Sequence, residues 1–137
     1  MAAVNVDISP SLLTFRFLDA DDEVVAYFKM NPADIKLAQR CHDLSSYFDG
    51  VESSLPENAT MEDVIKINDE LEEAICNLLG YDARRSLFGQ ISATSIMEDG
   101  NMFVVHVMNK IISEVEPVLK QRQAAMQAAA KHTAKYQ

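Results

Sequence analysis

The dipeptide Asn31-Pro32 divides this chain into two kinds of apolar pattern, and that division limits the fold more than any other feature. Ahead of it the pattern has period two. Leu13, Phe15 and Phe17 alternate with Thr14 and Arg16, Asp19-Ala20-Asp21-Asp22 supplies turn chemistry, and Glu23 to Lys29 is rich in β-branched and aromatic residues. This predicts a β-hairpin, whose apolar face must pack on other elements because an isolated hairpin is marginal in water. Val4, Val6 and Ile8 also alternate with polar residues and fit a short edge strand before Pro10.

Beyond Pro32 the apolar residues recur in steps of three and four. Asn31 fits an N-cap, with proline at the first helical position and Asp34 facing the positive end of the helix dipole. Leu37, Cys41, Leu44, Phe48 and Val51 form one stripe, to Gly50 or just beyond. After a loop at Ser53 to Asn58, Thr60-Met61-Glu62-Asp63 resembles a capping box. Val64, Ile67 or Asn68, Leu71, Ile75 and Leu78 carry a second stripe to Gly80, a plausible left-handed stop. The short connection predicts antiparallel neighbours. Asp82 can cap a brief helix ending at Gly89, whereas Ile91 to Ile96 fits either a helix start or a loop. Met102 to Val115 predicts the most buried helix, followed by a kink or restart at Pro117. All four glycines fall at the ends of predicted elements. The expected fold is mainly α with a small N-terminal β-hairpin (α+β), antiparallel helices packed on that hairpin, and a projecting C-terminal helix.

Charge divides the 137 residues into a domain over 1–116 and a tail over 117–137. The first holds 8 basic and 21 acidic residues, a charge of −13; the tail holds 4 basic and none acidic, +4; together they make the net −9. The tail is mostly alanine, glutamine and lysine, with high helix propensity and few large apolar residues, so it is no independent domain. The acidic sum argues against nucleic acid as a partner, because phosphate binding relies on cationic side chains. A cationic tail is attracted to the acidic body of a neighbouring copy, so self-association through it weakens as salt rises. No apolar run approaches the length of a membrane span, no secretory leader is recognisable, and a soluble intracellular protein is expected. In a reducing compartment Cys41 and Cys76 are expected as buried thiols.

A search for chemistry returns no catalytic constellation. His42, His106 and His132 stand singly, without the second histidine or carboxylate at helical spacing that a metal centre requires. Asp69, Glu70, Glu72 and Glu73 read as a solvated acidic face, and His106 as a packed residue between valines. Asp19 to Glu23 opens like a calcium loop but has Val24 at the glycine position and Met30 at that of the bidentate glutamate. No phosphate loop exists, and Cys41 and His42, adjacent on a helix, point about 100° apart. No enzyme activity, cofactor or metal is expected. Arg84, Arg85 and Phe88 form a small basic and aromatic spot that fits either a docking patch or a surface pair neutralising acids such as Asp82. Met126, on a tail without a core, fits a partner contact, as do Lys120, Arg122 and Tyr136.

The order of these features, with Phe28-Lys29-Met30-Asn31-Pro32-Ala33-Asp34, a segment from Tyr81-Asp82 to Phe88-Gly89, and the closing Lys131-His132-Thr133-Ala134-Lys135-Tyr136, resembles tail assembly chaperones of long-tailed phages and prophages of Firmicutes. The resemblance covers most of the chain and rests on loose patterns without a catalytic signature. It implies a mostly helical, self-associating protein in the cytoplasm of the bacterial host. Such a protein coats the tape measure protein, gives way to the tail tube protein, and has no active site. The alternatives are a minor tail or connector protein retained in the virion and a small helical regulator.

Overall fold

The computed structural model describes residues 2–6, 12–54 and 58–135, apart from the side chains at 45–46, 48–54 and 133–135. Two antiparallel strands, β1 (Leu13–Leu18) and β2 (Val24–Met30), precede helices α1 (Ile35–Ser54), α2 (Met61–Leu79), α3 (Arg84–Leu87) and α4 (Phe103–Lys135). This is the expected mainly helical α+β architecture. The segment 2–6 forms no strand, and Ile8 lies outside the described residues.

The hairpin register places Phe15 opposite Phe28 and Phe17 opposite Ala26, so the alternating apolar residues of both strands share one face. At the turn, the Asp19 carboxylate accepts the Asp21 and Glu23 amides at 2.8 and 3.0 Å, and Asp22 takes a left-handed φ of 61°. The inner face is buried by aromatic contacts. Phe15 stacks on Phe28 with ring centroids 5.2 Å apart, and Phe17 meets Phe103 edge-on at 5.1 Å. Phe103 in turn meets Phe88 edge-on at 6.0 Å, which joins the hairpin to the start of α4 and the end of α3. Around this cluster lie Leu71, Ile75, Leu87, Val104, Val107 and Ile111, all fully buried.

Helix α1 starts later than the sequence indicates. Asn31 closes a turn instead, accepting the Ala33 amide with its side chain and the Asp34 amide with its carbonyl. The capping role falls to Asp34, whose carboxylate accepts the Lys36 amide while its carbonyl accepts from Ala38. Proline thus rigidifies the turn before the cap. Gly50 lies inside α1 rather than at its end, because the helix continues to Ser54. In α2 the Thr60 capping box is present with Asp63 as its reciprocal partner, and Gly80 adopts the left-handed conformation at φ 82°. Arg40, near the start of α1, donates its Nε–H to the Leu78 carbonyl at 2.8 Å, which sets α1 and α2 antiparallel and places a cation at the negative end of α2.

Pro117 neither ends nor restarts α4, which is one helix of 33 residues. Pro117 and Ser113, the residue whose carbonyl loses its helical donor, both lie on the exposed side of the helix, where an unpaired carbonyl costs less than in the core. Val115 and Ile111 on the opposite side anchor the helix in the core. Docking also extends past residue 117: Leu119 packs against the core, and the Arg122 guanidinium donates to the Ala33 carbonyl.

Truncating the central ring, Phe103→Ala, is expected to cost about 3–5 kcal/mol in chemical denaturation, whereas Met126→Ala, on an exposed residue, should stay within about 0.5 kcal/mol. Equal losses from the two would remove the aromatic cluster from its central place.

Candidate functional site

Three surfaces bear on function: the α2–α3 face, the rim of the apolar groove beside His106, and the end of α4. On the first, Arg84 donates to the Asp69 carboxylate at 2.8 Å and to the Asp69 carbonyl at 3.1 Å, while Asp82 accepts the Arg84 amide at 3.3 Å. Arg84 therefore joins α3 to α2 within the chain, and its charge partner is Asp69 rather than Asp82. Phe88 is buried against Phe103 and is not displayed as a docking residue. Arg85 is exposed at the rim of a groove of about 730 Å³ along β2.

The acidic run on α2 is not one uniform solvated face. Glu72 is half-buried and accepts from the Asn68 side-chain amide at 2.6 Å and the Ala93 amide at 3.3 Å. The Asn68 Oδ1 accepts from both the amide and the hydroxyl of Thr94, at 2.9 and 2.8 Å. Residues 91–96 form a loop pinned to α2 by this network. That loop then caps α4, because the Ser95 and Ala93 carbonyls accept the Phe103 and Val104 amides. Nothing in the sequence pattern marks Asn68 as a clasp; it sits where either an apolar or a polar residue fits the helical stripe.

His106 is not packed between its neighbouring valines. Its side chain is 37% exposed and its Nε2 lies 3.1 and 3.0 Å from the two Asp99 oxygens. The Asn101 backbone amide, and then the His106 ring, hold the Asp99 carboxyl below its ordinary value. The pair rims an apolar groove of about 390 Å³ lined by Phe17, Leu18, Val25, Ile91, Met97 and Phe103. No serine, threonine or cysteine is among its lining residues. Ser92 and Ser95 bond to one another at 2.7 Å. Neither cysteine is in a disulfide, and burial pushes the Cys41 thiol up. Among the described residues no group of three or more His, Cys, Asp or Glu side chains converges on a metal position.

At the end of α4 every described side chain from Gln123 to His132 is exposed, with Met126 at 66%. Lys120 is exposed on the preceding turn, whereas Arg122 is half-buried and bonded to Ala33. Tyr136 lies outside the described residues. Among those described, no helix is long and apolar enough to cross a membrane. Compared with known proteins, the chain matches no family model, no curated protein and no solved structure.

Asn68→Ala should cost about 1–3 kcal/mol, because it strips partners from a half-buried network, and should speed amide exchange across residues 91–96. Arg84→Ala removes an exposed pair and should cost under about 1 kcal/mol. Asp63 has a lowered carboxyl pKa, set first by the Thr60 amide, and Asp99 is lowered as described, both from an ordinary 3.8. A carboxyl lowered on folding contributes its stability above the unfolded pKa and loses it as pH falls through the folded one. Melting temperature should therefore drop on acidification below about pH 4, and drop less in the Thr60→Ala and Asp99→Asn variants. An acid profile unchanged in both variants would contradict these assignments.

Proposed function

We propose that this protein is a non-enzymatic assembly protein of phage or prophage tails, a tail assembly chaperone that binds the tape measure protein and self-associates in the bacterial cytoplasm before the tail tube protein takes its place. The observation that carries the reading is the exposed end of α4. From Gln123 to His132 its side chains are exposed, and five of those ten residues are alanine and two glutamine. Isolated helices of that length are marginal in water, so such an arm gains stability by lying on another chain. A long helical partner suits it. Alanines permit close approach of a second helix, and Met126 re-packs against varied apolar surfaces.

The rest of the molecule is consistent with a binding role. The domain over 1–116 carries a charge of −13, which favours solubility at the high local concentrations of an assembly site. A charge of +4 on the tail gives it an electrostatic preference for acidic surfaces.

The test is a pull-down from induced cells with the full chain and with a chain lacking residues 120–137. The full chain should recover the tape measure protein, identified by mass, and the shortened chain roughly tenfold less. Equal recovery by both would remove the arm from the account. Purified virions should lack the protein; finding it in stoichiometric amount there would favour a retained tail component.

A further inference from the structure

Of the basic and aromatic spot at the end of α3, Arg84 is paired to Asp69 and Phe88 is buried, which leaves Arg85 without a structural task. Arg85 lines the 730 Å³ groove between β2 and α3 together with Tyr27, Lys29 and Tyr81. Among the described residues no ion pair involves Lys29 or Arg85. The acidic residue in the lining is Asp82, whose carboxylate accepts the Arg84 amide at 3.3 Å. Two cations, Lys29 and Arg85, against Asp82 give this lining a charge of +1, on a domain whose sum is −13. Arg16 stands opposite Tyr27 in the hairpin register, so a third exposed cation shares the face of that ring.

The other groups of the groove narrow what an anion there can be. The Tyr81 hydroxyl accepts the Lys29 amide at 2.7 Å, and burial pushes its phenol up, so it keeps its proton at neutral pH and has that proton left to donate. With the Lys29 amide taken and α3 packed against β2, an extended peptide finds no run of free amides to pair with. A long polyanion is disfavoured as well, because its charges beyond the groove meet the acidic body. The charge of a small ligand stays within a Debye length of the cations, about 8 Å at physiological salt. The rings of Tyr27 and Tyr81 are 41% and 38% exposed, and exposed tyrosine faces are platforms on which planar bases stack. A volume of 730 Å³ falls within the range of about 300–1,000 Å³ typical of small-molecule sites.

We infer that the groove between β2 and α3 binds a ligand of the mononucleotide class, a planar base carrying phosphate, with Lys29 and Arg85 on the phosphate and the base on the Tyr27 ring. The Tyr81 hydroxyl donates a further hydrogen bond to the phosphate. Arginine suits this place because its fork of N–H donors matches phosphate oxygens, and lysine adds a mobile point charge. The site binds and does no chemistry. It goes beyond the assembly role and does not involve α4, so tape measure binding by the arm stands or falls separately.

Isothermal titration calorimetry on the full chain at low salt tests this, with AMP, inorganic phosphate and adenosine as separate probes. AMP should bind at one site with a Kd below about 1 mM, and phosphate and adenosine each at least roughly tenfold more weakly, because each keeps half of the contacts. Lys29→Gln and Arg85→Gln change exposed residues outside the core, so they should leave the melting temperature in place and weaken AMP at least roughly fivefold each. Tyr27→Ala should weaken AMP while leaving the affinity for phosphate alone unchanged. In amide NMR spectra AMP should move the signals of Tyr27, Arg85 and Gln90. An AMP titration that does not saturate by about 10 mM overturns the inference, as does AMP affinity unchanged in Arg85→Gln. Phosphate that binds as tightly as AMP removes the base from the site and overturns it too. So does a tetra-aspartate peptide or a short single-stranded oligonucleotide that binds more tightly than AMP, since the groove is then a macromolecular surface.

Discussion

The contact on which the rest of the structure depends is the aromatic cluster that ties the hairpin to the helices. Phe15 and Phe17 sit on one face of β1 only because a period-two strand puts them there, and Phe28 faces them from β2 through the register of the turn. Phe103, the first residue of α4, and Phe88, just after α3, complete the cluster from the other side. A two-stranded sheet cannot hold itself in water, and a 33-residue helix with an exposed end has little tertiary support along its second half. Each is fixed by the ring contacts at its other end.

Polar contacts then lock the periphery. Arg40 closes the end of α2, Asn68 and Glu72 hold the loop at 91–96, and that loop supplies carbonyls to the first amides of α4. Among the described residues no buried side-chain nitrogen or oxygen lacks a hydrogen-bond partner. These contacts position the elements of the body relative to one another.

Much of this was legible in the sequence, and the reasons for success and failure differ by element. The hairpin, the capping box at Thr60 and the left-handed stop at Gly80 are local: a few residues fix the backbone, so the pattern carries the answer. The start of α1 was misplaced because Asn31 and Asp34 are both good caps and only the three-dimensional turn decides between them. Gly50 is not the stop that its pattern suggests, and α4 does not restart at Pro117. Residues on either side of Pro117 pack into the core, and that tertiary gain exceeds a local penalty on the exposed side of the helix. Asn68, the Arg84 pair with Asp69, and His106 with Asp99 depend on residues brought together by the fold, which periodicity does not reveal. Phe88 shows the converse error: an aromatic beside two arginines reads as a docking spot until Phe103 covers it.

The central claim is that a fixed body carries an arm with exposed side chains from Gln123 to His132, and amide hydrogen exchange along α4 tests it most directly. In the dilute isolated protein the account predicts strong protection from Val104 to Leu119, where the helix packs on the core, and a steep fall beyond Arg122, with protection of residues 123–132 rising when the proposed partner, a tape measure protein, is added. Uniform protection along the whole of α4 in the isolated chain, unchanged by the partner, would contradict it.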